Sequence, residues 1–515
     1  MLPLRLAEEK QSPNSSWKTN LVLGYFGKKK QTEIDEFRNN LQRDYVLYFV
    51  NYKNSMLGIG GVGTVTRSLS KIFPDLKMIC YDPEYSQEVV NKIDPKLENV
   101  ITVDLEKVDA EIFHGTYAKL YLWPVLHNLQ SNVSESEVEN IRRTFLKCSK
   151  IFAEKVVETS RGKKASIFWV NDYNLACVPG YIREISPESK IIFSFRTPFG
   201  VFENPNLLEI DAKIIAESLL NADIISFHRE KDVLHFLDFI NEYFHNDPNV
   251  KINWEEYTVE YKGHIVIPRA FPMGNDPEYR IELSKKKESK DSKKQFKAII
   301  KGKLITSVSR FDKTKGVDFE LDCIESLLKD FPELKEKFTF LRVSYLSDMK
   351  KNTRAYTDIY NHILSRIEEI NNKYGTESWK PIVGMFDSCL NDLEMTGLYR
   401  ATDVLLIGSL GDGFNHISVE SVMSKIIGDA PLQLVTTDIG ATDYLEGYNR
   451  IFPKDVQVSA NNIYKILTRS SYKILSNYFK LRASASKLYA YNWAMGIIQA
   501  AIDITKVPLV SKINI

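Results

Sequence analysis

The chain has 515 residues, enough for two or three domains with ample core. Its 68 Lys and Arg balance 67 Asp and Glu, and the net charge of +1 excludes a nucleic-acid binder driven by global charge. The 5 cysteines are scattered without CxxC spacing, no signal-peptide core follows Met1, and no apolar run nears the ~20 residues of a membrane span, so we expect a soluble, cytoplasmic protein without a disulfide framework.

Residues 1–44 are polar and weakly periodic, an N-terminal extension of no evident role. Tyr45–Val50 reads as a strand, followed by the glycine-dense turn that contains Gly60 and Gly61 and by a helix over Thr64–Phe73. Ala165–Val170, Lys190–Phe195 and Ala222–Phe227 are short apolar runs between polar turns, the mark of buried parallel strands. Ser284–Lys294 is rich in Lys, Ser and Asp; it reads either as an exposed connection near a domain boundary or as the solvated end of a surface helix. Alternation then resumes, with strands over 304–308, 338–345 and 404–407, helices over 317–330, 355–374 and from 416, and a last strand at Val435–Thr437. Two such blocks predict an α/β chain of two doubly wound domains, with ligands in a cleft at the carboxyl ends of the strands.

Two motifs stand at such ends. Ser309-Arg310-Phe311-Asp312-Lys313-Thr314-Lys315-Gly316 follows the strand ending at Val308. Arg310 offers a planar fork and Lys315 a compact charge, both suited to phosphate oxygens. Asp412-Gly413-Phe414-Asn415-His416 opens the helix after the strand ending at Ile407, with Glu420 further along it. A helix start presents free N–H groups to a diphosphate, Asp412 is placed for sugar hydroxyls, and Glu420 for a ribose diol. The plainer readings are strand-end cations and an Asp that caps a helix. In the first block, Asp172 follows the strand ending at Val170 and is placed to orient an acceptor hydroxyl, while Arg196 follows the strand ending at Phe195. Trp123 is a candidate ring for sugar stacking. The 8 histidines are dispersed and no Asp-x-Asp lies at a strand end, which predicts chemistry without a metal or cofactor.

Taken in order, several segments resemble the trehalose-6-phosphate synthase family, retaining glycosyltransferases of the GT-B fold. Phe168-Trp169-Val170-Asn171-Asp172-Tyr173-Asn174-Leu175 is similar to WVHDYHL, Arg196-Thr197-Pro198-Phe199 to HTPF, and Ala270–Pro277 to AFPIGID. Leu122-Trp123-Pro124 with His127, Ser309–Gly316 (DRLDYIKG) and Asp412–Glu420 (DGMNLVSYE) complete the pattern. The likeness runs from about residue 45 to 500 and implies two Rossmann-like domains: 45–290 for the acceptor, 291–480 for the nucleotide sugar, and a helix over 481–515 crossing back to the first.

The resemblance implies UDP-glucose as donor and glucose 6-phosphate as acceptor, with no nucleic acid or membrane as partner and a homo-oligomer left open. Arg310 and Lys315 would hold the diphosphate, with Asp412, Gly413, Phe414, Asn415, His416 and Glu420 completing the donor site. Gly60, Gly61, Trp123, Asp172 and Arg196 would form the acceptor side, and Arg310, Lys315, Asp172 and Arg196 would serve the chemistry. The departures gather on that acceptor side. The family's SNRLP is replaced around Val50-Asn51-Tyr52-Lys53, VPSR has no counterpart in Leu346-Ser347-Asp348, both histidines of HDYHL are Asn171 and Asn174, and the histidine of HTPF is Arg196. Two lost arginines weaken binding of a phosphate dianion by roughly several kcal/mol unless replaced. Lys53, Lys119 and Arg196 are the candidate replacements; the alternative is another acceptor, a glycerol or cyclitol phosphate, or a catalytically weak regulatory subunit.

Overall fold

The computed structural model describes residues 28–53, 61–82, 99–131, 133–162, 165–200, 207–344, 354–386 and 390–504. The first lobe is built on β1 (Tyr45–Lys53), β2 (Lys77–Tyr81), β3 (Val100–Thr102), β4 (Ala165–Asn171), β5 (Lys190–Ser194), β6 (Ile224–Phe227), β7 (Val250–Asn253), β8 (Thr258–Tyr261) and β9 (His264–Ala270). Among the described residues these form one sheet in the order β3-β2-β1-β4-β5-β6-β9-β8-β7. It is parallel from β3 to β9, and the β7-β8-β9 meander closes it in antiparallel pairing. The central strands are buried over most of their length because helices cover both faces, so they read as dense apolar runs. The outer strand β7 alternates half-buried and exposed residues, as a strand with one wet face does.

The second lobe carries β10 (Lys303–Val308), β11 (Phe338–Val343), β12 (Ile382–Met385), β13 (Val404–Ile407), β14 (Gln433–Thr436) and β15 (Asn449–Arg450). They pair in parallel in the order β12-β11-β10-β13-β14-β15. Strand order reverses between β1 and β4 in one lobe and between β10 and β13 in the other, so each lobe opens a crevice there. The doubly wound α/β reading holds.

The Ser284–Lys294 stretch is helical, with helices at Pro277–Lys285 and Lys287–Ala298. The exposed-connection reading is therefore set aside, and the inner face of the second helix is buried rather than solvated. Ser289, Ser292 and Phe296 pack it on the helix Asp392–Ala401, while Lys293 and Lys297 reach Asp429 (2.6 Å) and Asp403 (2.9 Å). Serines count as polar in a sequence pattern, yet they are small enough to let two helices approach closely. Two segments join the lobes side by side: Asn275 N donates to the Leu488 carbonyl (3.0 Å), and Ala490 N donates to that of Asn275 (2.9 Å). The last helix, Ala490–Ile502, packs on β5, β6 and the helix Gly61–Ile72 of the first lobe, with Trp493 against Trp169 at 4.8 Å. No helix among the described residues is long and apolar enough to cross a membrane.

Candidate active site

β10 runs into the turn Ser309–Asp312, where Asp312 caps the short helix Lys313–Lys315 by accepting from Thr314 N at 3.0 Å. Gly316 then takes φ 62, and a Cβ there would lie 2.0 Å from the Gly408 carbonyl oxygen. That clash explains the glycine: the loops after β10 and β13 meet backbone to backbone, and Leu410 N donates to the Thr314 carbonyl at 2.8 Å.

This contact delivers Lys315 to Asp412. Lys315 Nζ donates to Asp412 Oδ2 at 2.8 Å, with only 13% and 15% of the two side chains exposed. Asn415 Nδ2 donates to the same oxygen at 2.9 Å. Burial pushes the Asp412 carboxyl up, but Lys315 and Asn415 outweigh it and hold the group below the usual carboxylate range. Arg310 is held differently. Its side chain is 52% exposed and its contact with Asp312 Oδ2 is 3.9 Å, so it remains available to a ligand.

Asp412 is not the helix cap. Asn415 takes that place, at φ 71, and its side chain accepts from Ser418 N at 3.2 Å ahead of the helix His416–Met423. Phe414 is buried with its ring 5.8 Å from that of His228. His416 Nδ1 meets Asn275 Oδ1, and burial lowers its imidazole to about 3, so it is neutral. Glu420 is buried, accepting from Arg280 Nη2 at 2.8 Å and from the Tyr399 hydroxyl at 3.4 Å.

Across the seam, Asp172 follows β4 at φ 73, a strained setting for a residue with a side chain. Its Oδ1 accepts from Tyr173 N (3.0 Å) and Arg196 N (3.3 Å), and burial raises its pKa. Arg196 follows the neighbouring strand β5, but its guanidinium turns inward. It lies 5.3 Å from the Phe49 ring and 5.9 Å from that of Trp493, and donates to Asn171 Oδ1 at 3.1 Å. Its Nε and Nη1 are buried without a partner, and burial lowers its pKa to about 10. The Trp123 ring lies tilted against that of His127 with centroids 4.1 Å apart, and its Nε1 also lacks a partner. Gly61 opens the helix Gly61–Ile72, and Gly60 lies outside the described residues. Lys53 is exposed at the end of β1 and Lys119 is half-buried.

The lobes are in contact. A Cβ on Gly413 would lie 1.9 Å from the Arg196 carbonyl oxygen. Arg229 donates to Asp443 (2.5 and 2.8 Å) and to Asp438 (2.6 Å), and the Tyr444 hydroxyl donates to the His228 carbonyl at 2.6 Å. No motif in the sequence marks Arg229, Asp438 or Asp443. The paired residues lie 209 and 214 positions apart, and nothing local marks them as partners.

Comparison with known proteins supplies the family. The model of glycosyltransferase family 20 matches residues 62–503. The chain belongs to glycosyltransferase family 20. Among its relatives in the family, the alpha,alpha-trehalose-phosphate synthase [UDP-forming] A of Dictyostelium discoideum is 25% identical over 80% of this chain and 54% of its own length. The chain thus spans about half of that protein. The Pichia angusta alpha,alpha-trehalose-phosphate synthase is 26% identical over 91% of this chain and 95% of its own. A glucosylglycerol-phosphate synthase of Picosynechococcus is 29% identical over 66% and 70%. Among solved structures, the N-terminal domain of Candida albicans trehalose-6-phosphate phosphatase matches 93% of this chain and 99% of its own, with TM-score 0.79 and 22% identity. A Burkholderia xenovorans alpha,alpha-trehalose-phosphate synthase in complex with glucose-6-phosphate matches 89% and 100%, with TM-score 0.75 and 20% identity. The family 20 chain therefore has the GT-B fold.

Proposed function

We propose that the chain is a retaining glucosyltransferase that moves glucose from UDP-glucose to a sugar phosphate, with glucose 6-phosphate, giving trehalose 6-phosphate, as the first acceptor to test. One observation carries the reading: Lys315, paired with Asp412, and the half-exposed Arg310 both follow β10 at the β10/β13 switch point. As the bond from the sugar C1 to the phosphate oxygen breaks, negative charge grows on the pyrophosphate. Fixed cations aimed there favour that state over the bound substrate. The acceptor hydroxyl forms the new bond to C1 on the same face, and its proton passes to the departing phosphate oxygen. Asp172 orients that hydroxyl and Asp412 holds the sugar, and the step needs no metal or cofactor. We place the reaction in the cytoplasm.

The test is UDP release from UDP-glucose with a panel of glucose 6-phosphate, glycerol phosphate and cyclitol phosphates. Lys315→Ala and Arg310→Ala should abolish transfer in folded protein, and wild-type rates in either would refute the clamp. The guanidinium of Arg196 lies against the Phe49 and Trp493 rings and donates to Asn171, and this favours a second reading in which the acceptor differs or the chain is a catalytically weak regulatory subunit. UDP-glucose binding without turnover on any acceptor would support it.

A further inference from the structure

His127 lies on the first lobe and borders the second. Its Nδ1 is 2.7 Å from the Trp123 carbonyl oxygen. A carbonyl only accepts, so Nδ1 carries the proton, and Nε2 is left as a bare acceptor. Burial outweighs that bond and lowers the imidazole to about 4, so the ring is neutral at working pH.

Nε2 has no partner, and the residue is 7% exposed. Leaving a buried acceptor unpaired is costly, so its persistence calls for a reason. The surroundings supply one. A Cβ on Gly411 would lie 2.9 Å from His127 Cδ2, the ring carbon bonded to Nε2, so a glycine lets the loop after the strand Val404–Ile407 close on the imidazole. Lys315, Asp412 and Asp312 all act on the ring electrostatically, which puts the free nitrogen beside the clamp.

We propose that His127 Nε2 accepts a hydrogen bond from a hydroxyl of the sugar half of the nucleotide sugar. The proposal rests on the donor-site reading above. It commits to a neutral hydroxyl, because an ionised phosphate oxygen has no proton to offer a lone pair. It commits to the transferred sugar, because the bordering segment Gly411-Asp412 is the one assigned to that sugar.

Two substitutions separate this role from a role in the fold. His127→Asn keeps an N–H for the Trp123 carbonyl and removes Nε2. His127→Gln places an acceptor where Nε2 lies. Calorimetry measures Kd for UDP and for UDP-glucose in each, and the ratio within one variant is insensitive to general loosening. UDP Kd should stay within about twofold throughout. The UDP-glucose to UDP affinity ratio should fall about tenfold in His127→Asn and recover in part in His127→Gln. An unchanged ratio in His127→Asn, equal loss of UDP and UDP-glucose, or no recovery with Gln would overturn the proposal. Failure of the wild-type protein to bind UDP would instead remove the donor-site reading itself.

Discussion

Lys315→Ala tests the centre of the site through both stability and binding. Removing one partner of a buried ion pair costs about 3–5 kcal/mol, because the other charge is stranded. Asp412 would still accept from Asn415 Nδ2 at 2.9 Å, so we expect the lower end, ~3 kcal/mol. For domains of this size that is a fall in Tm of roughly 6–12 °C. Loss of one charge-assisted bond to the pyrophosphate removes about 1.5–3 kcal/mol, or roughly 10- to 150-fold in UDP affinity. The pH dependence gives a sign test. In the wild type, Asp412 has a depressed pKa, so its stabilisation is complete above the unfolded value near ~4 and fades as pH falls through the folded one. Without Lys315, burial dominates and the folded pKa rises. Lys315→Ala should then be closest to wild type near about pH 4 and furthest from it near about pH 8. Thermal melts across that range, with UDP titrations, give both readouts. Lys315→Met with Asp412→Asn should recover most of the stability and none of the UDP affinity. Unchanged melting and unchanged UDP affinity in Lys315→Ala would refute the reasoning.

Arg229→Ala removes the ties to Asp438 and Asp443; because those acids are 38% and 24% exposed, the stability loss is discounted to about 2 kcal/mol. Scattering should show a wider average separation of the lobes and kinetics a higher KM for UDP-glucose; no change in either would remove the latch role. Asp232 is buried, accepts from Phe199 N at 3.2 Å, and burial raises its pKa to about 7. Its folded pKa exceeds the unfolded one, so its contribution is complete at acid pH and is lost as pH rises through about 7; Asp232→Asn should raise Tm near about pH 8 and leave it nearly unchanged near about pH 4. Glu320 accepts from Ser307 Oγ and Gly408 N, each at 2.8 Å, and faces the fully buried Arg342. Glu320→Ala should therefore cost about 3–5 kcal/mol by urea unfolding, and a cost near zero would show that the pair does not brace the clamp.

Much of the fold was readable because its signals are local. β1, β4, β5, β10 and β13 are buried on both faces, so each appears as a dense apolar run. The β7–β9 meander was missed: its strands are short, and β7 keeps one wet face. The clamp was legible because Arg310, Lys315 and Gly316 share one strand-end turn and Asp412 follows another. Which residue caps the helix was not legible, because Asp412 and Asn415 are equally good cap residues by type. The choice between them turned on Lys315, which claims Asp412 from the neighbouring strand.

By itself the sequence determined the alternation of strands and helices, the two switch-point motifs and the family, since each depends on residues within one turn or one apolar run. Tertiary structure decided which rings Arg196 meets, that Glu420 pairs with Arg280, that Arg229 ties the lobes, and that His127 sets the edge of its ring against Gly411. These depend on Coulomb and steric terms between groups distant in the chain. Such terms act only within a few ångströms, so they exist only once the lobes have folded and met.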